Sequence, residues 1–589
     1  MWFSTIRWTR TVGLVAASTV FTAALSACSA VTGSPSPGNG APVAGAANSA
    51  AGAAGAAGAA GAAGSVVSTA TGGAGAGAQA LPPFSPAPES MHRLTQSQFK
   101  NSLRALLGDV TVGQLDSDSY IGGFATVGAG SVVTSANGVQ QYQVAIDSAL
   151  DQAFADTKRR AQLIGCTPQT PLDSACAQSF VKSFGRLAWR RPLTQAQLDR
   201  YAALAQSSAT ALSDSYAGLR WAASALLQSP YFLYRSERGS SVPGMADRNQ
   251  YTSFELASKL AFFLWNSTPD GDLLDAAESG ALATPAGLSA QIDRLLSAPQ
   301  GQEAIVNFAR EFTRTDNLIG MPKDASTYPS FTSTLSVAMG EEVLRLWQNA
   351  FESDSDALGL FTTQQTFANK ELGALYGLDT SGLAANTFSA VTLPASQGRS
   401  GLLTTAAMLS LQATQIEGSP TLRGRYIRQQ FQCMTIPDPP PGVVTTLPST
   451  GPGTFTKRQK MLVHESQPSC AGCHSLMDPL GFPLEHFDAV GAYRATDSGL
   501  EIDTSGKLGD QSFADAVGMG QILAASPATA ACLVQKIYTY AVAHPIPNSE
   551  QVIVNDLSSA FSASGNRLPA LISKIVTSDA FKFTSPESP

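Results

Sequence analysis

Three short polar boxes, each followed by an apolar stripe, constrain this chain most strongly, because they mark the beginnings of helices. In each box a Thr is followed three residues later by Gln or Glu, the pattern in which the two residues cap each other's backbone amides. The boxes are 95–98, 194–197 and 252–255. After the first box, Phe99, Leu103 and Leu107 recur at helical spacing, and Gly108 ends the segment. We therefore expect a mainly α-helical, multi-lobed fold.

The same periodicity predicts nine further helices, whereas strand signals are sparse. These helices are expected at 140–156, 212–228, 287–297, 301–314, 333–352, 366–375, 419–432, 528–542 and 567–575. One small hairpin is predicted near the C-terminal third, from 491–494 to 501–503. Its acidic residues lack the spacing of an EF-hand, so a solvated hairpin is preferred over a calcium site.

The N-terminus has the pattern of an export signal. Residues 1–27 combine early Arg residues, a short apolar run and small residues at the end, as in a secretory signal peptide. Cys28 at the cleavage point resembles the lipid-attachment Cys of a bacterial lipoprotein, with an ordinary signal peptide and an incidental Cys as the alternative. Ser29 after it implies the outer membrane in that family. We expect a lipid-anchored protein on the periplasmic side or at the cell surface.

Composition and turn signals divide the remainder. Residues 28–88 are rich in Ala, Gly, Ser and Pro and are predicted to be a disordered tether. The turn at Pro243-Gly244 and the Pro-rich stretch 437–441 suggest further boundaries. The predicted parts are an N-terminal helical lobe at 89–242, a middle helical lobe at 243–395, a segment at 396–500 that carries the Cys motif described next, and a C-terminal helical segment at 501–589.

Cys470-Ala471-Gly472-Cys473-His474 is the attachment signature of c-type haem. Two thiols on one helical turn add to the porphyrin, and the adjacent His474 becomes the proximal ligand of the iron. Zinc is an alternative cofactor, for which His464 and His486 are candidate ligands, but the paired spacing of zinc sites is absent. A structural or redox Cys pair is the other alternative, although no βαβ pattern surrounds the motif.

The sixth iron ligand is less well defined. Met477 lies three residues after His474, which puts it on the same side as the proximal imidazole. Met519 is far enough along the chain for a loop to fold back over the haem, so it is the preferred candidate. His486 and His544 would instead give a bis-His centre. A core Met or a surface His remains the alternative for each.

The chain has seven Cys, and four remain after Cys28 and the haem motif are set aside. Disulfides persist outside the cytoplasm, so two bridges are expected. Cys166 and Cys176 flank a short Pro-containing loop and are predicted to pair. Cys433 and Cys532 then form the second pair, with two separate buried thiols as the alternative.

Six longer segments resemble one family. They are R-L-T to L-G at 93–108, A-W-R-R-P-L-T at 188–194, S-P-Y-F-L-Y-R at 229–235, L-A-S-K-L-A-F-F-L-W at 256–265, R-G-R-Y at 423–426 and D-P-L-G-F-P-L-E-H-F-D at 478–488. In this order they resemble the domain-of-unknown-function series 1587, 1595, 1592, 1588 and 1585 of large secreted bacterial proteins, some of them fused to cytochrome-c-like modules. The resemblance implies no reaction. The chain departs from the family at His486 and Met477.

Charge and motifs narrow the functional classes. The chain has 37 Lys and Arg against 44 Asp and Glu, with no basic stripe, which argues against a nucleic-acid partner. Hydrolase, zincin and nucleotide-binding motifs are missing from the folded region. We therefore expect electron transfer, with an unidentified redox partner such as a secreted oxidative enzyme. A non-redox scaffold, a carbohydrate-associated binding protein and a haem oxidase or peroxidase remain alternatives, so enzymatic activity stays open.

Overall fold

The structure is a computed structural model that describes residues 81–131, 134–438, 454–465 and 468–586. The predicted signal peptide, Cys28 and nearly all of the predicted tether lie outside the described residues, as does the greater part of the Pro-rich stretch 437–441. The side chain of His464 also lies outside the described part. The expectations for these residues stay predictions.

The N-terminal elements are mostly helices, joined to two short antiparallel pairings. They are β1 (Ser90–Arg93), α1 (Gln96–Leu107), α2 (Ala125–Gly128), α3 (Ala136–Ala155), α4 (Thr157–Ile164), α5 (Ser174–Trp189), α6 (Gln195–Leu212), α7 (Ser215–Leu227), α8 (Pro230–Leu233), β2 (Tyr234–Glu237), β3 (Ser240–Val242) and β4 (Met245–Gln250). β1 pairs with β2, and β3 pairs with β4 through a turn at Pro243-Gly244.

The middle elements are again helical, with one hairpin-like pair. They are α9 (Ser253–Leu264), α10 (Gly271–Glu278), α11 (Pro285–Ser297), α12 (Glu303–Thr313), α13 (Ser333–Glu352), β5 (Gln365–Ala368), α14 (Lys370–Leu375), β6 (Ser389–Thr392) and α15 (Ala406–Leu411). β5 and β6 pair antiparallel, with Thr366 opposite Val391.

The C-terminal elements include the helix that carries the Cys motif. They are α16 (Pro420–Phe431), α17 (Lys457–Glu465), α18 (Pro468–Gly481), β7 (Thr496–Asp497), β8 (Leu500–Glu501), β9 (Gly506–Leu508), β10 (Gln511–Phe513), α19 (Ala516–Ala524), α20 (Pro527–Val542), α21 (Gln551–Ala563), α22 (Leu568–Thr577), α23 (Asp579–Lys582) and β11 (Phe583–Thr584). A 3-10 turn, Phe482–Leu484, follows α18.

The mainly α-helical fold with small hairpins is confirmed. All three polar boxes act as capping boxes, at the beginnings of α1, α6 and α9. A hairpin lies near the predicted place as the short pair β7 and β8, in which Thr496 pairs with Glu501. Its first strand follows the predicted 491–494, which forms no strand, because the turn between the strands is only two residues long. The remaining small sheets were not predicted, because strands of two to six residues give little periodic signal.

The helix predicted over 366–375 is wrong in its first part. Residues up to Ala368 form β5, and α14 begins only after Asn369, whose side chain caps it. The Thr366 hydroxyl donates to the buried Glu342 carboxylate at 2.6 Å. The β-branched Thr366 and the aromatic Phe367 also favour an extended backbone, so a tertiary partner and local propensity act together here.

Buried side chains form two apolar cores. The smaller core joins α1, α3, α5, α6 and α7 and receives Phe262 from α9. The larger core runs from α9 to α23 and receives Phe124, which precedes α2, and Val127 from α2 itself. Each core is built from the apolar side chains of several helices. The helices are therefore stabilised mainly by the packing of their apolar faces against one another.

No single helix of the described ranges is long and apolar enough to cross a membrane. The helices Ala516–Ala524 and Pro527–Val542 reach that length and apolar character only when they are taken together, and their axes differ by 71°.

Candidate functional site

The Cys motif lies on the first turns of α18. Cys473 and His474 follow Cys470 by three and four positions, the spacings at which a side chain neighbours that of Cys470 along the helix. Cys470 is buried, and Cys473 and His474 are half-buried. Neither thiol takes part in the two disulfides of the described residues.

Asp478 orients His474 from one turn further along α18. The His474 Nδ1 and Asp478 Oδ2 atoms are 2.7 Å apart, and the Asp478 side chain is 0% exposed. An ionised carboxylate can only accept, so this contact places the imidazole proton on Nδ1. Nε2 is then the ring nitrogen with a lone pair, and metal-binding imidazoles commonly donate their other ring N–H to a carboxylate in this way.

Asp478 is the first residue of the family-like segment 478–488, and its partnership with His474 was not predicted. The signal was nonetheless present, because a His and an Asp four residues apart on a predicted helix face each other. The second oxygen of this carboxylate, Oδ1, is buried and has no hydrogen-bond partner among the described residues.

Two glycines let α16 contact α18 backbone to backbone. A Cβ at Gly424 would collide with the carbonyl of Met477, and a Cβ at Gly481 would collide with the carbonyl of Pro420. The Arg428 Nε atom also donates to the Leu476 carbonyl at 2.8 Å. α16 is therefore the element that fixes the position of the helix carrying the Cys motif.

The segment after α18 is held by a buried Arg from α16. The Arg423 Nη1 atom donates to the carbonyls of Leu484 at 2.7 Å and Phe487 at 2.9 Å, and Nη2 donates to the Asp488 carbonyl at 2.7 Å. Its charge faces Glu485 at 3.5 Å, which also pairs with Arg494 at 2.8 Å.

Burial dominates the electrostatics of this ionic cluster. Desolvation lowers the pKa of Arg423 to about 10, although the Glu485 charge acts in the opposite direction. Desolvation likewise raises the pKa of the Glu485 carboxyl above its ordinary value, and the Arg423 and Arg494 charges limit that rise. Three backbone carbonyls accept from the Arg423 guanidinium and compensate its loss of water. The cluster therefore holds the chain segment that follows the Cys-motif helix in place.

Both predicted disulfides are confirmed. Cys433 bridges to Cys532 with a Cα–Cα distance of 5.4 Å, which ties the end of α16 to α20. Cys166 bridges to Cys176 with a Cα–Cα distance of 5.8 Å between α4 and α5. The first bridge closes a loop that contains the whole Cys-motif segment.

The side chains considered as the sixth iron ligand each have contacts of their own in the structure. Met519 is fully buried on α19 as part of the larger core, and Met477 is buried beside α16. His486 donates from Nδ1 to the Arg494 carbonyl at 2.9 Å and stacks on Tyr493. His544 donates from Nδ1 to the Pro545 carbonyl at 2.9 Å.

A zinc site would have to draw on more than the described side chains. Within the ranges that the structure describes, no group of three or more His, Cys, Asp and Glu side chains is placed to hold a metal ion. The side chain of His464 lies outside those ranges, so its role as a ligand stays a prediction.

Comparison with known families finds five models along the chain, each of them described as a protein of unknown function. They are DUF1587 at 92–155, DUF1595 at 176–237, DUF1592 at 251–378, DUF1588 at 399–497 and DUF1585 at 509–581. No curated protein and no solved structure matches. The DUF1588 match contains the Cys motif, α16 and the ionic cluster behind them, so these features belong to one unit of the series.

Proposed function

Taking this chain as a member of the five-part series of unknown function, DUF1587 to DUF1585, we propose that it is an exported c-type haem protein that transfers electrons. The observation that carries the proposal is the first part of α18, which holds two thiols outside the disulfides and a His474 ring oriented by Asp478.

The residues fit the chemistry of a covalently held haem. Cys470 and Cys473 would supply the two thiols for thioether bonds, and the Nε2 atom of His474 would bind the iron. Asp478 holds the proton on the opposite ring nitrogen and strengthens the imidazole as a donor. When bound, the haem would supply one-electron redox chemistry at a potential that is set by its ligands and surroundings.

The setting of α18 also suits electron transfer. Gly424 and Gly481 allow the backbones of α16 and α18 to touch, and Arg423 fixes the chain that follows. The bridge between Cys433 and Cys532 joins this unit to α20. A redox centre on such a rigid support keeps its ligand geometry between oxidation states.

Apolar side chains near the motif offer a surface for a redox partner. Leu462 and Val463 on α17 and Leu476 on α18 are exposed, and α17 packs beside α18. We propose that an unidentified redox protein, such as a secreted oxidative enzyme, exchanges electrons here. Met519 stays the proposed sixth ligand, although its burial in the core requires a local opening toward the haem.

Export is part of the same proposal. The two disulfides fit an oxidising compartment, which is also where c-type haem is attached. Lipidation of Cys28 would anchor the protein to the outer membrane, on the periplasmic side or at the cell surface. Replacing Cys28 by Ser should release the protein from the membrane fraction, and unchanged membrane association would contradict the anchor.

The decisive experiment is production in a host that matures c-type haem. Wild-type protein should retain a haem stain after denaturation and an acid-acetone wash, whereas Cys473→Ala should lose most of it. The matched control removes the local bridge through Cys166→Ala and Cys176→Ala, which leaves the haem motif intact and should keep the stain. A colourless wild-type protein with stoichiometric zinc would overturn the proposal and favour the zinc alternative.

A further inference from the structure

Arg428 on α16 is a buried cation whose charge has no partner within the described part of the chain. The residue is only 8% exposed. Its Nε atom donates to the Leu476 carbonyl at 2.8 Å, but neither Nη atom has a hydrogen-bond partner among the described residues. A guanidinium carries five N–H donors, so most of the donors of Arg428 need an acceptor from outside those residues.

The neighbouring arginines of α16 differ, because each of them has an acidic partner. Arg423 faces Glu485 at 3.5 Å. Arg425 pairs with Asp438 at 2.6 Å. Burial lowers the pKa of Arg428, and no acidic side chain acts in the opposite direction as Glu485 does at Arg423. A buried cation is costly unless an anion pairs with it, so the surroundings of Arg428 call for an anion.

The contact between α16 and α18 fixes how the two helices are aligned. Gly424 meets Met477, and Pro420, one turn earlier on α16, meets Gly481, one turn later on α18. The two helices therefore run antiparallel, and each turn forward along α16 corresponds to one turn back along α18.

This alignment places Arg428 beside the Cys motif. Arg428 is one turn after Gly424 on α16, and the turn before Met477 on α18 carries Cys473 and His474. Long helical side chains point back toward the beginning of their own helix, which explains why the Arg428 guanidinium contacts the backbone just after His474. The unpartnered cation and the proposed haem ligand thus lie at the same level of the helix pair.

The free end of this side chain is open to a ligand. The Nε atoms of Arg423 and Arg425 are fully enclosed and have no acceptor, whereas the Nη atoms of Arg428 are not among the enclosed polar atoms. A guanidinium fork matches a carboxylate, which accepts from two parallel N–H groups. Haem carries propionate carboxylates along one edge, so the proposed cofactor would bring the anion that Arg428 lacks.

We propose that Arg428 binds a propionate carboxylate of the haem attached to Cys470 and Cys473. This inference rests on the proposed haem and adds to it a cofactor-binding residue from α16, outside the helix that carries the motif. The guanidinium would hold one edge of the porphyrin and offset the negative charge of the propionate. It would thereby favour the reduced iron, because charges near a haem are among the factors that set its potential.

The test is a redox titration of the full chain, produced in a host that matures c-type haem. Arg428→Gln leaves the propionate charge without a partner, so the midpoint potential should fall by about 60 mV, a ten-fold change in the one-electron equilibrium. The propionate bending band of the resonance Raman spectrum should also shift, since it responds to hydrogen bonds of the carboxylate. Arg428→Lys keeps the charge but not the fork, so it should shift the band and change the equilibrium less than two-fold.

Arg425→Gln is the matched control, because it removes the same charge from the same helix at a side chain that Asp438 already neutralises. It should leave the Raman band unshifted and change the equilibrium less than two-fold.

Four outcomes separate the possibilities. A haem-loaded protein whose Raman band is the same in wild type and both Arg428 variants would overturn the pairing alone and leave the guanidinium merely hydrated. Equal falls in potential for Arg428→Gln and Arg425→Gln would also overturn it, because they would reflect total charge. A wild-type protein without haem would overturn the proposed function and the pairing with it. If Arg428→Gln does not fold, an unshifted band in Arg428→Lys would by itself contradict the pairing.

Discussion

The Cys-motif region and the polar cleft of about 620 Å³ beside α1 and α12, which Glu311 lines, differ in what their polar groups contact. Around α18, the guanidinium groups of Arg423 and Arg428 are used to hold backbone carbonyls, and Gly424 brings two helices into contact. At the cleft, polar side chains such as those of Asn101, Asp118 and Glu311 line an open space instead. The first arrangement would hold the proposed haem in one position, whereas the second leaves room beside its polar groups.

The largest expected effect concerns the bridge that closes the Cys-motif region. Removing it through Cys433→Ala and Cys532→Ala frees a loop with a sequence separation of 99 residues. Loop entropy predicts a loss of about 4–5 kcal/mol in the free energy of unfolding. Denaturant unfolding would measure this loss beside that of a second double variant, Cys166→Ala with Cys176→Ala, which lacks the shorter bridge.

The second bridge is the matched control, because its sequence separation is only 10. Its removal should cost about 2–3 kcal/mol by the same reasoning and should leave the Cys motif unaffected. Equal losses for the two bridges would show that packing already constrains the long loop. The Cys433–Cys532 bridge would then add little to the stability of the Cys-motif region.

The next effect tests the backbone contact between α16 and α18. Gly424→Ala forces a methyl group against the Met477 carbonyl, so we expect a loss of about 3 kcal/mol in unfolding free energy and poor haem incorporation. Gly472→Ala, on α18 itself, meets open space and should be neutral or slightly stabilising. Thermal unfolding of both variants would measure the two losses. An unchanged stability of Gly424→Ala would contradict the backbone contact between α16 and α18.

Two buried carboxyl groups, Glu311 at the cleft and Glu342 in the core, predict how the stability of the protein depends on pH. Burial raises the pKa of each carboxyl from 4.5 to about 7. A raised folded-state pKa means that the native state binds the proton more tightly, so stability is greatest below pH 4.5 and falls as the pH rises through 7. Each carboxyl accounts for at most about 3 kcal/mol of that fall.

Gln variants isolate these contributions. Glu342 is sealed in the core, where Thr366 and Tyr376 donate to it, so Glu342→Gln should remove its share of the pH dependence. Glu311→Gln should remove the share of Glu311 in the same way. The opposing fall in stability from the buried His92 at low pH is common to all variants and cancels in the differences.

Local signals predicted much of this molecule, and distant partners explain what was missed. The capping box at 95–98 and the pairing of Cys166 with Cys176 depend on neighbours in the sequence. The partner of Glu311 is Ala125, which is 186 residues away, and Arg423 grips a carbonyl 61 residues further along. No spacing rule links such residues, so the clamp and the cleft became visible only after folding.

The smallest effect concerns Asp478, and it separates orientation of the His474 ring from mere packing. Asp478→Asn keeps the shape of the side chain and removes its negative charge beside the Nδ1 atom of His474. If the proposed haem is bound, that charge would favour the oxidised iron, so the midpoint potential of Asp478→Asn should rise by about 60 mV, a ten-fold change in the one-electron equilibrium. Redox titration against Ser475→Ala, an exposed neighbour on α18, provides the control. If both variants kept the wild-type potential, Asp478 would serve packing alone, and the resemblance of this pair to a metal-binding His with its carboxylate would lose its force.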